Sequence, residues 1–597
     1  MLPHLQALLR PRGIAVVGAT PNTDKFSGRI VPALLRGRFR GRIYPVNPRY
    51  SEVAGLPCYR SVREVPDPCD LAIIAVPAAH VPDTVAEAAE RGLGAAVILS
   101  SGFEEVGGEG EARAERLRSL TPRIRLYGPN CPGLWQIRDG VVYTFTAQFH
   151  PDQLVAGPVG LISQGGALGR AVLDAMDQGL GFSYWFSTGN ETDLEAADFV
   201  EFLAQDPGTG VLALILEGFR DGRRFLAAAS ACRAAGKPVM VLKVGRTAPG
   251  ARAALQHTAK RNGRGFIVDA LLEQAGCVRV DDLDELTDLA RLFARYPHPP
   301  EGGLAVCSFS GGMGGLLADQ AALHGVPLTR LQPSTEAALR SLLPPIAAIG
   351  NPTDLTTAVL DNPALARAAL ETMAADPGVA LVLFPLPHRL DAFDEAMARE
   401  LVELAGVSPK PLAVVASSPS FEMEAAAQIL LRGGVPVFRT ARAAVRASAR
   451  WLGTRSARRP PAIPPWPAEG RPGASPLTPA EWAALLERHG LPRAERGAPL
   501  LHCAVSEEPG FGPVLACRGT SLPPSGTWAV RLLPLGPEEA EALCAELDVG
   551  GPCAPEALAA LGRLALEQRG RFDRVETVLG MHEGRAVVLD VTLEVTT

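Results

Sequence analysis

Lysine is scarce in this chain: five residues in 597, against 53 arginines, with none between Pro492 and the carboxyl terminus. The skew reads as a coding bias and carries no function by itself. Acidic residues outnumber basic ones, giving a formal charge of -6 and a pI near 6.0. That balance argues against a nucleic-acid footprint over the whole chain. No run reaches the ~18 apolar residues that a membrane helix needs. The start, MLPHLQALLRPRG, is too short and wrongly built for a signal peptide. The ten cysteines are scattered, with no CxxC pair. A reduced, cytoplasmic setting is therefore the simpler reading, with no membrane partner and no metal site.

What is present is ordinary globular material, 47% hydrophobic and 20% charged, long enough for about four domains of ~150 residues. The most informative stretch runs from Gly160 to His257. Three short apolar runs, Val159 to Ile162, Val211 to Leu216 and Val239 to Leu242, read as buried parallel strands separated by helical patterns. The first runs into Ser163-Gln164-Gly165-Gly166 and a helix from about Ala167. Glycines at such a turn let the N–H groups of a helix start face an anion, with the helix dipole adding to the attraction. Glu217 follows the second strand, and His257 lies beyond the third. Strand carboxyl ends share one edge of an open parallel sheet, where ligands bind. Imidazole as nucleophile, carboxylate fixing its tautomer and helix start holding the phosphoryl group together suit a phosphohistidine.

Here the chain resembles the ADP-forming acyl-CoA synthetases (acid–CoA ligases), relatives of succinyl-CoA synthetase. Their SQSGALG, SxGNxxDxxxxD, YLEGxxDGRRF and SHTG motifs stand as SQGGALG, STGNETDLEAAD, ILEGFRDGRRF and QHTA. The resemblance implies that His257 is the phosphorylated histidine, Glu217 its orienting carboxylate, and Ser163, Gly165 and Gly166 part of the phosphate-binding helix start. Two departures stand out. Gly165 replaces a serine able to bond phosphate, and Ala259-Lys260-Arg261-Asn262-Gly263 replaces a small loop. The basic pair there can clamp phosphate or obstruct the loop.

Residues 1–145 read as strands alternating with helices, each strand ending in a Gly, Pro or Asn turn, which predicts a doubly wound parallel sheet. The glycine signal from Gly18 to Gly28 is not a GxGxxG fingerprint, and alone leaves nucleotide binding and a tight structural turn both open. The ordered set VVGAT, YPVNP, AVPAAHV, SSGFEEVG and GPNCPG resembles the family's Rossmann-like CoA-binding domain. It implies that Gly18, Thr20 and Ser27 line the CoA phosphates. It also implies that Val46, Asn47, Pro48, Val76 and Pro77 hold the adenosine, with Asn130 and Cys131 near the thiol end. For Cys131 itself, a buried small residue is the plainer reading.

Residues 146–297 form the phosphohistidine domain. Its tail carries Asp281, Asp282, Asp284 and Glu285, read as a helix cap with first-turn acids rather than a metal site. Residues 298–455 repeat the strand, glycine turn and helix at Ser308 to Gly315. They resemble the family's second flavodoxin-like ligase domain, which implies phosphate contacts from Gly311, Gly312 and Gly314. A close-packed turn without ligand is the competing reading. Residues 456–475 are a Pro/Arg-rich linker.

Residues 476–597 resemble a shrunken α+β remnant of the family's ATP-grasp module. LTPAEWAALLERHGLPRAE matches its first helix and SEEPGFGPVLACRGT its later part. The stretch between, which in the family carries the phosphate-binding lysine, is almost absent. Only Glu576 and Asp590 resemble the expected metal-binding end. The family thus implies CoA, acyl-CoA and inorganic phosphate as ligands, with Mg²⁺ and ATP or ADP doubtful in this chain alone. It implies a separate ATP-grasp subunit as partner and a homo-oligomeric assembly. The alternative is a catalytically degenerate CoA or acyl-CoA sensor or scaffold.

Overall fold

The computed structural model describes residues 2–146, 151–258, 264–386, 392–416, 425–455, 463–464, 477–494, 498–520, 528–547, 549, 554–569, 571–582 and 585–594. The chain forms two compact bodies. One contains residues 1–215, 232–242 and 280–457, and the other 216–231, 243–279 and 458–597.

The first sheet has the order Arg42–Val46, Gly13–Val17, Leu71–Ile74, Ala95–Ile98, Arg125–Tyr127, all parallel. Gly13–Val17, Leu71–Ile74 and Ala95–Ile98 are buried throughout, as continuous apolar runs require when helices cover both faces. The second sheet has seven strands, in the order Val278–Val280, Val239–Lys243, Val211–Leu216, Ala156–Ser163, Phe182–Ser187, Gly133–Gln136, Val141–Thr144. The three expected strands are present with nearly the expected bounds. The hairpin Gly133–Thr144 differs from expectation. A boundary near residue 145 assigns it to the first domain, yet Gly133–Gln136 pairs antiparallel with Phe182–Ser187. Its apolar faces explain this: Trp135 packs edge-on against Trp185, with ring centroids 5.5 Å apart. The sheet is therefore mixed, and the GPNCPG turn carries the chain from the first sheet into the second.

The third sheet, Thr353–Asp354, Gly303–Ser308, Val379–Leu386, Leu412–Ala416, Val437–Phe438, is parallel throughout. The expected cap at the helix Leu283–Arg295 is present. Asp282 Oδ1 accepts the Glu285 N–H at 2.7 Å, while Arg446 donates to Asp281 and Glu285 at 2.9 and 3.0 Å. These contacts account for the acidic cluster.

The carboxyl-terminal sheet is antiparallel: Ala529–Leu532, Gly512–Gly519, Ala498–Glu508, Arg574–His582, Arg585–Glu594. Its core is closed by the helices Pro479–Arg488 and Ala554–Glu567, with Trp482 fully buried against Phe572. A capping box of Thr478 and Glu481 starts the first of these helices. Among the described residues no helix is long and apolar enough to cross a membrane.

Candidate functional site

The strands Gly13–Val17, Arg42–Val46 and Leu71–Ile74 end level, with Val17 in register with both Val46 and Ile74. Gly18, Val46, Asn47, Val76 and Pro77 thus fall on one sheet edge. The Gly18 N–H donates to the Val46 carbonyl at 2.9 Å. Asn47 Nδ2 donates to the Ala19 carbonyl at 2.8 Å, and its Oδ1 accepts the Arg49 N–H at 3.0 Å. Asn47 therefore ties the second strand's loop across the glycine turn. Thr20 is buried, with its hydroxyl accepting from the Asn22 N–H at 3.3 Å. Ser27 lies in the single turn Phe26–Gly28, and Pro48 and Pro77 are exposed at the rim. Cys131 is buried, its Sγ 3.4 Å from the Ile98 carbonyl, and burial pushes its thiol up to about 12. It is a packing residue, not a thiolate.

Three of the sequence motifs meet beside this edge. Gly189 has φ +63°, and a Cβ there would sit 2.1 Å from the Pro129 carbonyl oxygen, so only glycine fits the crossing. The Asn190 N–H donates to that same carbonyl at 3.0 Å. Asn190 Nδ2 donates to Glu105 at 2.6 Å and Glu104 at 3.1 Å, and Asn130 Nδ2 donates to Asn190 Oδ1 at 3.3 Å. Burial alone raises the Glu105 carboxyl. The Gly102 N–H and the Asn190 amide outweigh it and hold the group below its ordinary value. Three residues further on, Asp193 binds the Leu126 N–H and the Arg125 guanidinium, both at 2.8 Å. The loops SSGFEEVG, GPNCPG and STGNETD are thereby one hydrogen-bonded junction.

The first predicted phosphate turn keeps its helix but not every donor. The helix Gly166–Leu173 has Gly165 at its N-cap and no side-chain cap, which leaves its amide end for an external anion. The Ser163 hydroxyl faces inward: it is buried and accepts the Trp185 indole N–H at 2.9 Å. A Cβ on Gly169 would lie 2.4 Å from that hydroxyl oxygen, so this glycine makes the room for the pair. Sequence reasoning missed the residues beneath the turn. Buried Gln164 donates to Glu191 at 3.0 Å, and Glu191 also accepts from Thr188 Oγ1 at 2.7 Å and the Ala196 N–H at 3.1 Å.

The second predicted turn is already furnished. Ser310 caps the helix Gly311–Leu323 through the Met313 N–H at 3.4 Å. The Asp354 carboxylate lies 2.9 Å from where a Gly311 Cβ would stand, and Gly314 packs on Pro352. Gly312 is exposed. A fixed acid beside this helix start opposes a second anion there.

Glu217 is buried just past the strand Val211–Leu216. Its carbonyl accepts the Lys243 ammonium at 2.7 Å, and Lys243 is itself buried. From there the chain enters the helix Ala248–Thr258. His257 is therefore on a helix rather than in a loop. Its side chain and the Ala259–Gly263 segment lie outside the described residues. The DGRRF motif has a partner the sequence did not reveal. Buried Arg223 donates to the carbonyls of Phe511, Pro464 and Leu533 at 2.8, 2.9 and 2.8 Å. The Gly222 N–H donates to the Gly510 carbonyl at 2.6 Å. The Arg264 N–H donates to Glu508 at 2.9 Å. The carboxyl-terminal sheet is thus seated on the segments that follow Leu216 and Lys243. Within that sheet Glu576 is paired with Arg574, and Asp590 Oδ1 accepts the Val591 N–H. No group of three or more potential metal ligands occurs among the described residues.

Comparison with known proteins matches three stretches of the chain. Residues 12–135 match a CoA binding domain, 156–293 a succinyl-CoA ligase like flavodoxin domain, and 304–461 a ligase-CoA domain. The acetate–CoA ligase [ADP-forming] II subunit alpha of Pyrococcus furiosus is 34% identical over 73% of this chain and 94% of its own length. The acetate–CoA ligase [ADP-forming] of Methanocaldococcus jannaschii is 36% identical, and here the match spans 59% of this chain but only 49% of the relative. Among solved structures, the dinucleotide forming acetyl-coenzyme A synthetase 1 of Ca. Korarchaeum cryptofilum in complex with phosphate and ADP aligns with a TM-score of 0.68 at 31% identity. That alignment covers 76% of this chain and 97% of that one. With the motif loops converging as they do, the chain belongs to the ADP-forming acyl-CoA synthetase family related to succinyl-CoA synthetase.

Proposed function

We propose that this chain is the CoA-binding, phosphohistidine-bearing part of an ADP-forming acid–CoA ligase. The observation that carries the reading is the junction of SSGFEEVG, GPNCPG and STGNETD, which fixes the CoA-type strand edge to the domain bearing the open helix start at Gly165-Gly166. Parallel strand ends, a glycine turn and the exposed rim at Pro48 and Pro77 fit an extended nucleotide such as CoA laid over that edge. In this reading acyl-CoA and inorganic phosphate exchange to give an acyl phosphate and free CoA. The His257 imidazole then takes the phosphoryl group, releasing the carboxylic acid. Glu217 holds the imidazole tautomer, and the amide end at Gly165-Gly166 faces the phosphoryl oxygens. Gly311, Gly312 and Gly314 have a structural part in this scheme, because Ser310 already caps their helix start and the Asp354 carboxylate stands beside it.

Residues 476–597 do not fit a nucleotide and Mg²⁺ site. They contain no lysine, and Glu576 is held by Arg574. The reading therefore gives phosphoryl transfer to ADP to a separate ATP-grasp chain. The Pyrococcus relative, named as an alpha subunit and matched over nearly its whole length, supports that division. A cytoplasmic homo-oligomer completes the reading.

The test is phosphorylation. The protein is incubated with labelled phosphate plus acetyl-CoA or succinyl-CoA, and separately with labelled ATP·Mg²⁺. Acid-labile label from acyl-CoA plus phosphate, lost in His257→Ala, is expected. Label from ATP alone would place a nucleotide site in this chain. No label from either, with CoA binding intact across a broad acyl-CoA panel, would leave a sensor or scaffold.

A further inference from the structure

Two thiols face each other inside the carboxyl-terminal sheet. Cys503, on the strand Ala498–Glu508, is directly opposite Cys517 on the antiparallel strand Gly512–Gly519. Both are buried and both are free thiols. Buried cysteines are commonly packing residues, but here the Cys517 thiol donates to Cys503 Sγ at 3.2 Å. Directly opposed residues of an antiparallel pair have Cα atoms ~4.5–5.5 Å apart, inside the ~4.4–6.8 Å window of a disulfide. An S–S bond of ~2.05 Å therefore needs about 1.2 Å of approach, within reach of side-chain rotation and without moving a strand. The hairpin formed by these strands turns at Gly510 and Phe511. Their carbonyls take the Gly222 N–H and the Arg223 guanidinium, in the segment that follows Glu217.

We infer that Cys503 and Cys517 are an oxidisable dithiol that a small peroxide converts to a cross-strand disulfide, locking the hairpin that supports the segment after Glu217. Burial, and after it the Cys503 sulfur, holds the Cys517 thiol well above its ordinary value, so Cys517 keeps its proton in the first step. The Cys503 sulfur attacks one peroxide oxygen and the O–O bond breaks. This gives a sulfenic acid, and the displaced oxygen leaves as water with the Cys503 proton. Cys517 then attacks that sulfur, the S–O bond breaks, and the oxygen leaves as water with the Cys517 proton. The two sulfurs lose two electrons and the peroxide gains them. Burial on both sides of the pair selects a small oxidant over a bulky disulfide.

Peptide mapping of the full chain tests this. The reduced protein is treated with hydrogen peroxide, then unfolded, alkylated with iodoacetamide and digested for mass spectrometry. The expected product is a Cys503–Cys517 cross-link lighter by two hydrogens, absent before treatment and removed by dithiothreitol. The melting temperature of the oxidised chain should rise by several degrees, because a cross-link across 14 positions constrains the unfolded chain. Cys544→Ser, at the third thiol of this core, should leave the cross-link and the shift in place. Cys517→Ser should abolish both, and the wild-type map decides the matter alone should that variant fold poorly. A cross-link to Cys544, a sulfinic acid at Cys503 without a cross-link, or no change at either residue would overturn the inference. So would a Cys503–Cys517 disulfide that leaves the melting temperature unmoved or lowers it. None of these outcomes bears on phosphorylation at His257, so the ligase reading stands or falls separately.

Discussion

Arg223 shows how much one side chain can hold. Its guanidinium is buried, and its three carbonyl partners fan out in directions that a planar fork meets and a lysine ammonium does not. Burial, with Arg569 nearby, lowers its pKa to about 10. Arg223→Ala should cost about 3 kcal/mol in urea unfolding, because three buried carbonyls lose their donor. Arg223→Lys should recover less than half of that loss. Asp288 makes the opposite case. Burial pushes its carboxyl up to about 7, despite Arg291 and Arg439 nearby and with Asp284 and Asp282 adding to the rise. The unfolded value is about 3.9. A raised folded pKa favours the folded state below the unfolded value, and that contribution is lost as pH rises through 7. Asp288→Asn should remove this slope, gaining about 2–3 kcal/mol on the wild type between pH 5 and pH 8. Parallel unfolding curves at the two pH values would contradict it. Native alkylation should reach Cys58 first, since every other free thiol among the described residues is buried, and should leave Cys131 unmodified.

At the scale of elements, the strands and glycine turns were legible because each is written locally, as an apolar run followed by a Gly, Pro or Asn turn. The junction was only half legible. Its motifs were recognisable, but Asn190 meets Glu105 across 85 positions, and no local period encodes that pairing. The same limit hid the Arg223 contacts, which span 288 and 310 positions. The two glycine turns looked alike in sequence and differ in structure, because Asp354 and the Ser310 cap arrive at one and nothing comparable caps the other. The hairpin Gly133–Thr144 was misplaced for a related reason: alternating apolar residues show that a strand exists, not which sheet takes it. A prediction follows for the junction. Gly189→Ala should lower stability by about 2 kcal/mol or more, since the added Cβ meets a backbone carbonyl and the positive φ disfavours alanine. Asn190→Ala, which only removes hydrogen bonds, should cost less and weaken CoA binding with it, as read by melting curves with and without CoA.

Across the whole molecule the chemistry is unevenly distributed. The CoA-type edge, the open helix start and the buried Glu217 occupy the part that the family matches cover, and those matches end at residue 461. Beyond it lies a well-packed antiparallel sheet in which, among the described residues, several charged groups are already paired: Glu508 on Arg264, Glu507 on Arg569, Glu546 on Arg531. A nucleotide triphosphate needs cationic side chains left for it and carboxylates left for its metal, and these groups are already paired. A ligand that binds only the folded state raises the melting temperature by mass action, about 2.7 kcal/mol at a hundred times its Kd. Millimolar CoA should therefore raise the melting temperature of the full chain by several degrees. ATP·Mg²⁺ at the same concentration should leave it unmoved. An ATP-dependent rise comparable to that with CoA would show that the carboxyl-terminal sheet binds nucleotide after all, and the division of labour between two chains would then fall.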